Sequence, residues 1–156
     1  MATLTLKQIT DGLRISRVRV EQWISRGFFR TPDQPILGLA REWDIGDAMR
    51  LALCVELVDA HMSPQQAGAL VWVGVHGFKD DTAFFVAWQG AHEMAGIKGK
   101  GGKPAKAHLP GNWYPEIVRG RDLQNFLENS DVDFALVFNL DNLEKRVKVA
   151  LGRETG

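Results

Sequence analysis

Ile15-Ser16-Arg17-Val18-Arg19-Val20-Glu21-Gln22-Trp23-Ile24-Ser25-Arg26-Gly27-Phe28-Phe29 is the stretch on which the reading of this chain turns. Ser16 suits a helix N-cap, because its hydroxyl can accept a free backbone N–H one turn in. Val20, Trp23, Ile24 and Gly27 follow at three- and four-residue spacing, so they share one helix face. Gly27 stands where a helix closes in the left-handed conformation. The opposite face carries Arg17, Val18, Glu21, Gln22 and Ser25. From Arg14 to Arg30 there are five arginines and one acid, Glu21. A short helix with an apolar back and an Arg/Gln front suits a duplex groove. A solvated helix on any small domain is the plainer alternative.

Upstream, Thr5-Leu6-Lys7-Gln8 fits a capping box, in which the two polar side chains satisfy each other's free N–H groups. Leu6, Ile9 and Leu13 give this first helix a short apolar face, and Gly12 and Arg14 lie in the break before Ser16. Two short helices so close together read as helix-turn-helix. Downstream, Phe28-Phe29-Arg30 is strand-like, Thr31-Pro32-Asp33-Gln34-Pro35 is a turn cluster, and Ile36-Leu37-Gly38-Leu39 leads into Ala40-Arg41-Glu42-Trp43. This pattern predicts a β-hairpin wing. Trp43 is expected to anchor the core and Arg41 to reach a phosphate, with a surface ion pair as the alternative for Arg41.

Asp44-Ile45-Gly46-Asp47 places acids at the positive end of the next helix. Ile45, Ala48, Met49, Ala52, Leu53, Val55 and Leu57 make that helix apolar nearly all round, as a central core helix is. Cys54 inside it reads as a small buried hydrophobe. His61-Met62 breaks the helix, and Ser63-Pro64-Gln65-Gln66 restarts it with a capping box and a proline at the first helical position.

Residues Leu4 to about Val71 resemble the MerR-type winged-helix DNA-binding domain and the related excisionase-like domains. The features that carry the resemblance are Leu4-Thr5-Leu6, Ile15-Ser16, Trp23-Ile24-Ser25-Arg26-Gly27-Phe28, Ala40-Arg41-Glu42-Trp43 with Asp44 and Asp47, and His61-Met62-Ser63-Pro64-Gln65-Gln66-Ala67, all in order. The resemblance implies a DNA-binding regulator. Its helix two would lie in the major groove, with Arg17 and Gln22 toward base edges and Val18 near thymine methyls. Ser16, Arg19, Arg26, Arg30 and Arg41 would face phosphates. The chain departs from the family at Arg14, where glycine is common, at Thr10, where a small residue is common, and at Glu21-Gln22-Trp23, where Arg-Tyr-Tyr is common. No long dimerising heptad pattern follows Val71.

Beyond Val75 the chain predicts a second module. Thr82 to Trp88 reads as a strand, Trp113 to Val118 as another, and Arg121 to Leu127 as a helix. Phe134 to Leu140 is the clearest strand, and Asn142 to Leu151 is a final helix. Gly96 to Pro110 holds four lysines, four glycines and two prolines and reads as a mobile basic loop. It is not a phosphate-binding loop: Pro104 follows Gly102-Lys103, and Ile97 stands where the first glycine belongs. Solvent exposure is favoured over a phosphate role for it. The expected architecture is α+β, with a winged helix-turn-helix over residues 1–75 and a small α+β module over 76–156. The apolar second half, with Phe84 to Trp88 as an edge strand, suggests a homodimer. A chain ending near Val75 is then expected to be a monomer that binds DNA weakly.

Composition limits the alternatives. The 156 residues hold 19 basic and 19 acidic side chains, so any nucleic-acid binding must rest on local charge. One cysteine excludes an intramolecular disulfide and a cysteine-rich zinc site. His61, His76, His92 and His108 have no second ligand at metal spacing, and His92-Glu93 lacks a distal histidine. No nucleophile elbow is present. Neither a leader nor a membrane-length apolar run is evident. The expectation is a cytoplasmic, sequence-specific DNA-binding regulator that is not an enzyme and has no cofactor, metal or membrane partner. An excisionase-like DNA-bending factor is the second reading. A protein-interaction adaptor with a degenerate winged helix is the third.

Overall fold

The computed structural model describes residues 3–31, 42–108 and 111–153, of which 92–97, 104, 107 and 108 are described in backbone only. The fold is α+β. Its elements are α1 (Leu6–Leu13), α2 (Arg17–Ser25), α3 (Ile45–Asp59), α4 (Pro64–Val71), β1 (Ala83–Lys98), β2 (Pro104–His108), β3 (Tyr114–Arg119), α5 (Leu123–Leu127), β4 (Val132–Asn139) and α6 (Leu140–Ala150). They form two compact units, one of residues 1–76 with 140–156, the other of residues 77–139.

The first unit is helical, and its helix starts follow the cap chemistry. Thr5 and Gln8 exchange side-chain bonds with each other's backbone N–H, at 3.1 and 2.8 Å. The Ser16 hydroxyl accepts the Arg19 N–H at 3.3 Å. Asp44 and Asp47 form a reciprocal box on α3. At α4, Ser63 accepts the Gln66 N–H with Pro64 at the first position, but Gln66 faces the Ser63 hydroxyl and does not complete a box. Gly27 closes α2 in the left-handed region, at φ 74°.

The α1–α2 turn is made by Arg14, in the left-handed conformation at φ 56°. A side chain there costs about 1–2 kcal/mol, which glycine avoids in exchange for about 0.4–1 kcal/mol of unfolded-state entropy. Arg14→Gly should therefore leave stability unchanged or raise it by about 1 kcal/mol in urea denaturation. A loss of 1 kcal/mol or more would show that the arginine makes contacts that offset its backbone.

α3 is the central element, with Ala48, Met49, Leu51, Leu53, Cys54 and Leu57 buried. It packs against α4 and α6, and α1 packs against α2 and α6. Trp43, 2% exposed, exchanges two backbone bonds with Leu4 and stacks on Phe29 at 6.0 Å. Phe28-Phe29-Arg30 forms no strand: Phe29 turns inward onto Trp43. The rest of the expected wing, residues 32–41 with Arg41, lies outside the described residues.

The second unit begins at Gly77, near the expected boundary, but ends at Asn139 and does not run to residue 156. α6, assigned by sequence to the second module, belongs to the first unit, because its buried Leu140, Leu143 and Val147 accompany packing on α3 and α1.

The second unit is an antiparallel sheet built on β1, which pairs with all three other strands. β3 pairs with Ala83 to Trp88 and β4 with Phe84 to Gly90. Phe84 to Trp88 is therefore not an edge strand, and that support for a homodimer is withdrawn. Phe85, Val86 and Ala87 are fully buried. α5 covers part of the sheet through Phe126, whose ring meets Trp88 edge-on at 6.0 Å, and Trp88 also packs on Tyr114 at 5.2 Å. At the entry to β1, Asp81 accepts the backbone N–H groups of Arg121 and Thr82, which hold its carboxyl below the usual range. Arg121 also pairs with Asp80 at 2.9 Å.

Residues 96–110 are not a loop throughout. β1 continues to Lys98, and β2 returns alongside it from Pro104, with a turn between them closed by the Gly99 N–H donating to the Lys103 carbonyl at 2.7 Å. The register shifts between Gln89 and Gly90, opposite the first residue of β4. The Asp131 carbonyl lies so close to Gly90 that a Cβ would collide with it. Glycine at 90 thus lets β1 pass out of the sheet body into the hairpin.

Candidate functional site

The exposed front of α2 is the site toward which the sequence points. Val20 and Trp23 are buried on the helix's inner side, so the outer side is fixed in direction. It presents Arg17, Val18, Glu21, Gln22 and Ser25, all exposed, and Val18 is 65% exposed with no packing reason to be apolar. Arg17 Nε donates to Glu21 Oε1 at 2.9 Å, one helical turn apart. This pair neutralises the acid that would otherwise repel a polyanion, and it holds the guanidinium on the front. Ser16, at the N-terminal end, uses its oxygen as the cap acceptor and keeps its O–H to donate. Arg26 is exposed at the C-terminal end, with no ion-pair partner among the described residues.

The remaining candidates point elsewhere. The Arg19 guanidinium lies 4.8 Å over the Trp23 ring and 3.7 Å from the Asp59 carboxylate, on the flank toward the end of α3. Arg30 lies 5.3 Å over the Trp72 ring. Both cations are held against aromatic faces of their own unit, an attraction worth roughly 0.5–1 kcal/mol at exposed sites. The structure thus groups Arg17, Val18 and Gln22, flanked by Ser16 and Arg26. It does not bring Arg19 and Arg30 to that front. No family model matches this sequence, and no curated protein matches it.

Two features escape the sequence reading. One is a cleft of about 450 Å³ between α1 and α2, floored by Leu6, Ile24 and Trp43 and rimmed by Lys7, Arg17 and Glu21. It brings Lys7 to the edge of the α2 front, where Lys7 is paired with Asp11. The other is Arg50, which is buried. It is bonded to Asp47 and stacked on both Phe29, at 5.7 Å, and Trp72, at 4.9 Å. The spacing Asp47-x-x-Arg50 is a helical pair visible in the sequence, but the apolar character of α3 obscures it.

Cys54 is fully buried, and desolvation pushes its thiol up to about 12 despite the nearby Arg19. A thiol so placed is not a nucleophile near neutral pH. Among the described residues, no three of histidine, cysteine, aspartate and glutamate cluster as metal ligands. Also among the described residues, no helix is long and apolar enough to cross a membrane.

Proposed function

We propose that residues 1–76 are a MerR-like winged-helix domain and that the chain is a sequence-specific regulator of transcription, binding duplex DNA with α2 in the major groove. The observation that carries this reading is the front of α2. An arginine, an amide and a solvent-exposed valine stand together on a capped helix whose back is locked in a core. Those three side chains match what a major groove offers: guanine acceptors for Arg17, the adenine donor–acceptor pair for Gln22, and thymine methyls for Val18. Ser16 and Arg26 sit where the backbone would pass. Arg19 and Arg30 join them only by leaving Trp23 and Trp72, and Arg41 would act from the wing.

Selection of bound duplexes from a random pool should return a preferred site. On that site Arg17→Ala and Gln22→Ala should each cost about 1–3 kcal/mol and relax preference at one base pair. Equal weakening on all sequences would make the residue a phosphate contact and remove it from base readout. With about four phosphates neutralised by α2 and the wing, those contacts alone should contribute a slope near −3.6 to the fall of log affinity against log salt. Salt-independent binding would sink the proposal, and failure to retain any duplex would leave the protein-interaction adaptor. One such helix reads few base pairs, so two copies on a palindromic site belong to the same proposal. Light scattering of the complex reads that stoichiometry.

A further inference from the structure

We infer that the tip of the β1–β2 hairpin, Lys98 to Lys103, is a second DNA-binding element that grips the phosphate backbone without reading sequence. The inference rests on the DNA-binding reading above. From Ala91 onward β1 has β2 as its partner, since β3 and β4 stop pairing at Trp88 and Gly90. The chain thus leaves the sheet as a two-stranded ribbon. Eight residues of extended chain, Ala91 to Lys98, span about 26 Å at strand rise.

Charge is distributed along this ribbon in a telling way. No acid occurs between Glu93 and Glu116, while Lys98, Lys100, Lys103 and Lys106 fall inside that interval. Lys106, toward the base, is paired with Asp131 at 2.7 Å. Lys98, Lys100 and Lys103, at the tip, are exposed and have no ion-pair partner among the described residues. Lysines also serve to keep strand edges from pairing with other chains. That role accounts for Lys98 and Lys106, but Lys100 and Lys103 sit in the turn, where there is no edge to protect. Gly101 and Gly102 take φ 73° and 74°, so the turn is shaped by residues with no side chain, and lysine is the only side chain it displays.

The chemistry selects the partner. Ammonium groups on flexible stems act as point charges toward phosphate and carry no base code. The tip has no aromatic ring on which a single-stranded base would stack. It also has no apolar side chain to enter a bilayer, which stable lipid anchoring requires beside a basic patch. A duplex backbone fits both what is present and what is missing.

The test uses the full chain with Lys98, Lys100 and Lys103 all changed to glutamine, and with circular dichroism to confirm folding. Fluorescence anisotropy on a selected duplex and on a random duplex, over a salt series, should show the slope shallower by about 2.7, three contacts at about 0.9 each. The loss should be equal on both duplexes. A chain carrying Lys79→Gln and Lys145→Gln should keep the wild-type slope. An unchanged slope in the triple variant, with Arg17→Ala still relaxing base preference, overturns the hairpin inference and leaves α2 in place. Loss of slope in the triple variant, with no effect of Arg17→Ala or Gln22→Ala, supports the hairpin and overturns α2 readout. Loss of binding to vesicles of equal parts phosphatidylcholine and phosphatidylserine, with DNA binding intact, makes the partner a membrane and overturns the inference.

Discussion

Arg50→Ala should lower the unfolding free energy by about 3–5 kcal/mol, the cost of breaking a buried ion pair by removing one partner. Both side chains of the Asp47–Arg50 pair are 9% exposed. Asp47 is committed twice, since its carboxylate also accepts the Asp44 N–H at 3.0 Å as half of the α3 capping box. Without Arg50 a carboxylate stays buried with one backbone donor. The loss is also steric, because the guanidinium fills the space between Phe29 and Trp72. Arg50→Lys should not restore stability: an ammonium is a compact point charge and cannot lie flat on either ring. In a chain that already carries Asp47→Asn, the cap acceptor remains and the charge is gone. There Arg50→Ala should cost only about 1–2 kcal/mol, a coupling that a double-mutant cycle measures. Urea denaturation followed by tryptophan fluorescence reads all four chains. A loss below about 1 kcal/mol for Arg50→Ala would mean the pair is effectively at the surface.

The features legible in the sequence are local. Thr5 with Gln8, Ser16, Gly27, and Ser63 with Pro64 mark helix ends through bonds spanning three or four residues, and each end lies where its cap puts it. The α2 front was legible for the same reason, since a period of 3.6 residues separates Val20 and Trp23 from Arg17, Val18 and Gln22. Most of what failed depended on distant partners. Phe28-Phe29-Arg30 has strand composition, but Phe29 stacks on Trp43, fourteen positions on, and the segment stays irregular. Gly90 and Gly96 look like strand breakers, yet β1 runs through both, because β2 supplies the hydrogen bonds and Gly90 accommodates the Asp131 carbonyl. Arg19 and Arg30 belong by spacing to a basic cluster. Arg19 is drawn aside by Trp23, one helical turn on, a spacing the sequence displays, and Arg30 by Trp72, forty-two positions on, which no periodicity encodes. α6 looked like the last element of the second module because its partners, α3 and α1, precede it by most of the chain.

That placement of α6 reverses what is expected of a shortened protein. A chain ending near Val75 should fail to fold cooperatively, whereas a chain in which residues 77–139 are replaced by a short Gly/Ser linker should fold. The first lacks α6, and with it Leu140, Leu143 and Val147, which are 1%, 7% and 1% exposed. At about 1.5–3 kcal/mol per buried aliphatic side chain, the three together contribute about 5–9 kcal/mol, comparable with the whole stability of a small domain. α1 is shaped for the same contact: a Cβ on Gly12 would come within 2.7 Å of Leu151 Cδ2 and 2.9 Å of the Ala150 carbonyl. The second chain keeps α6 and loses only the inserted sheet. The ends of the insertion are bounded in separation, since Asn139 pairs with Phe84, seven positions after Gly77, which limits them to about 30 Å at full chain extension. A flexible linker of about twelve residues, which reaches about 40 Å when extended, should therefore reconnect the chain without strain. Thermal melts by circular dichroism distinguish the two: a sigmoidal transition for the linked chain and a broad, low-amplitude one for the chain ending at Val75. Anisotropy on the selected duplex then asks whether the linked chain keeps its base preference while its salt slope becomes shallower by the share carried by the hairpin. A cooperative melt from the chain ending at Val75, with the midpoint of the linked chain, would show that α6 adds nothing to this core.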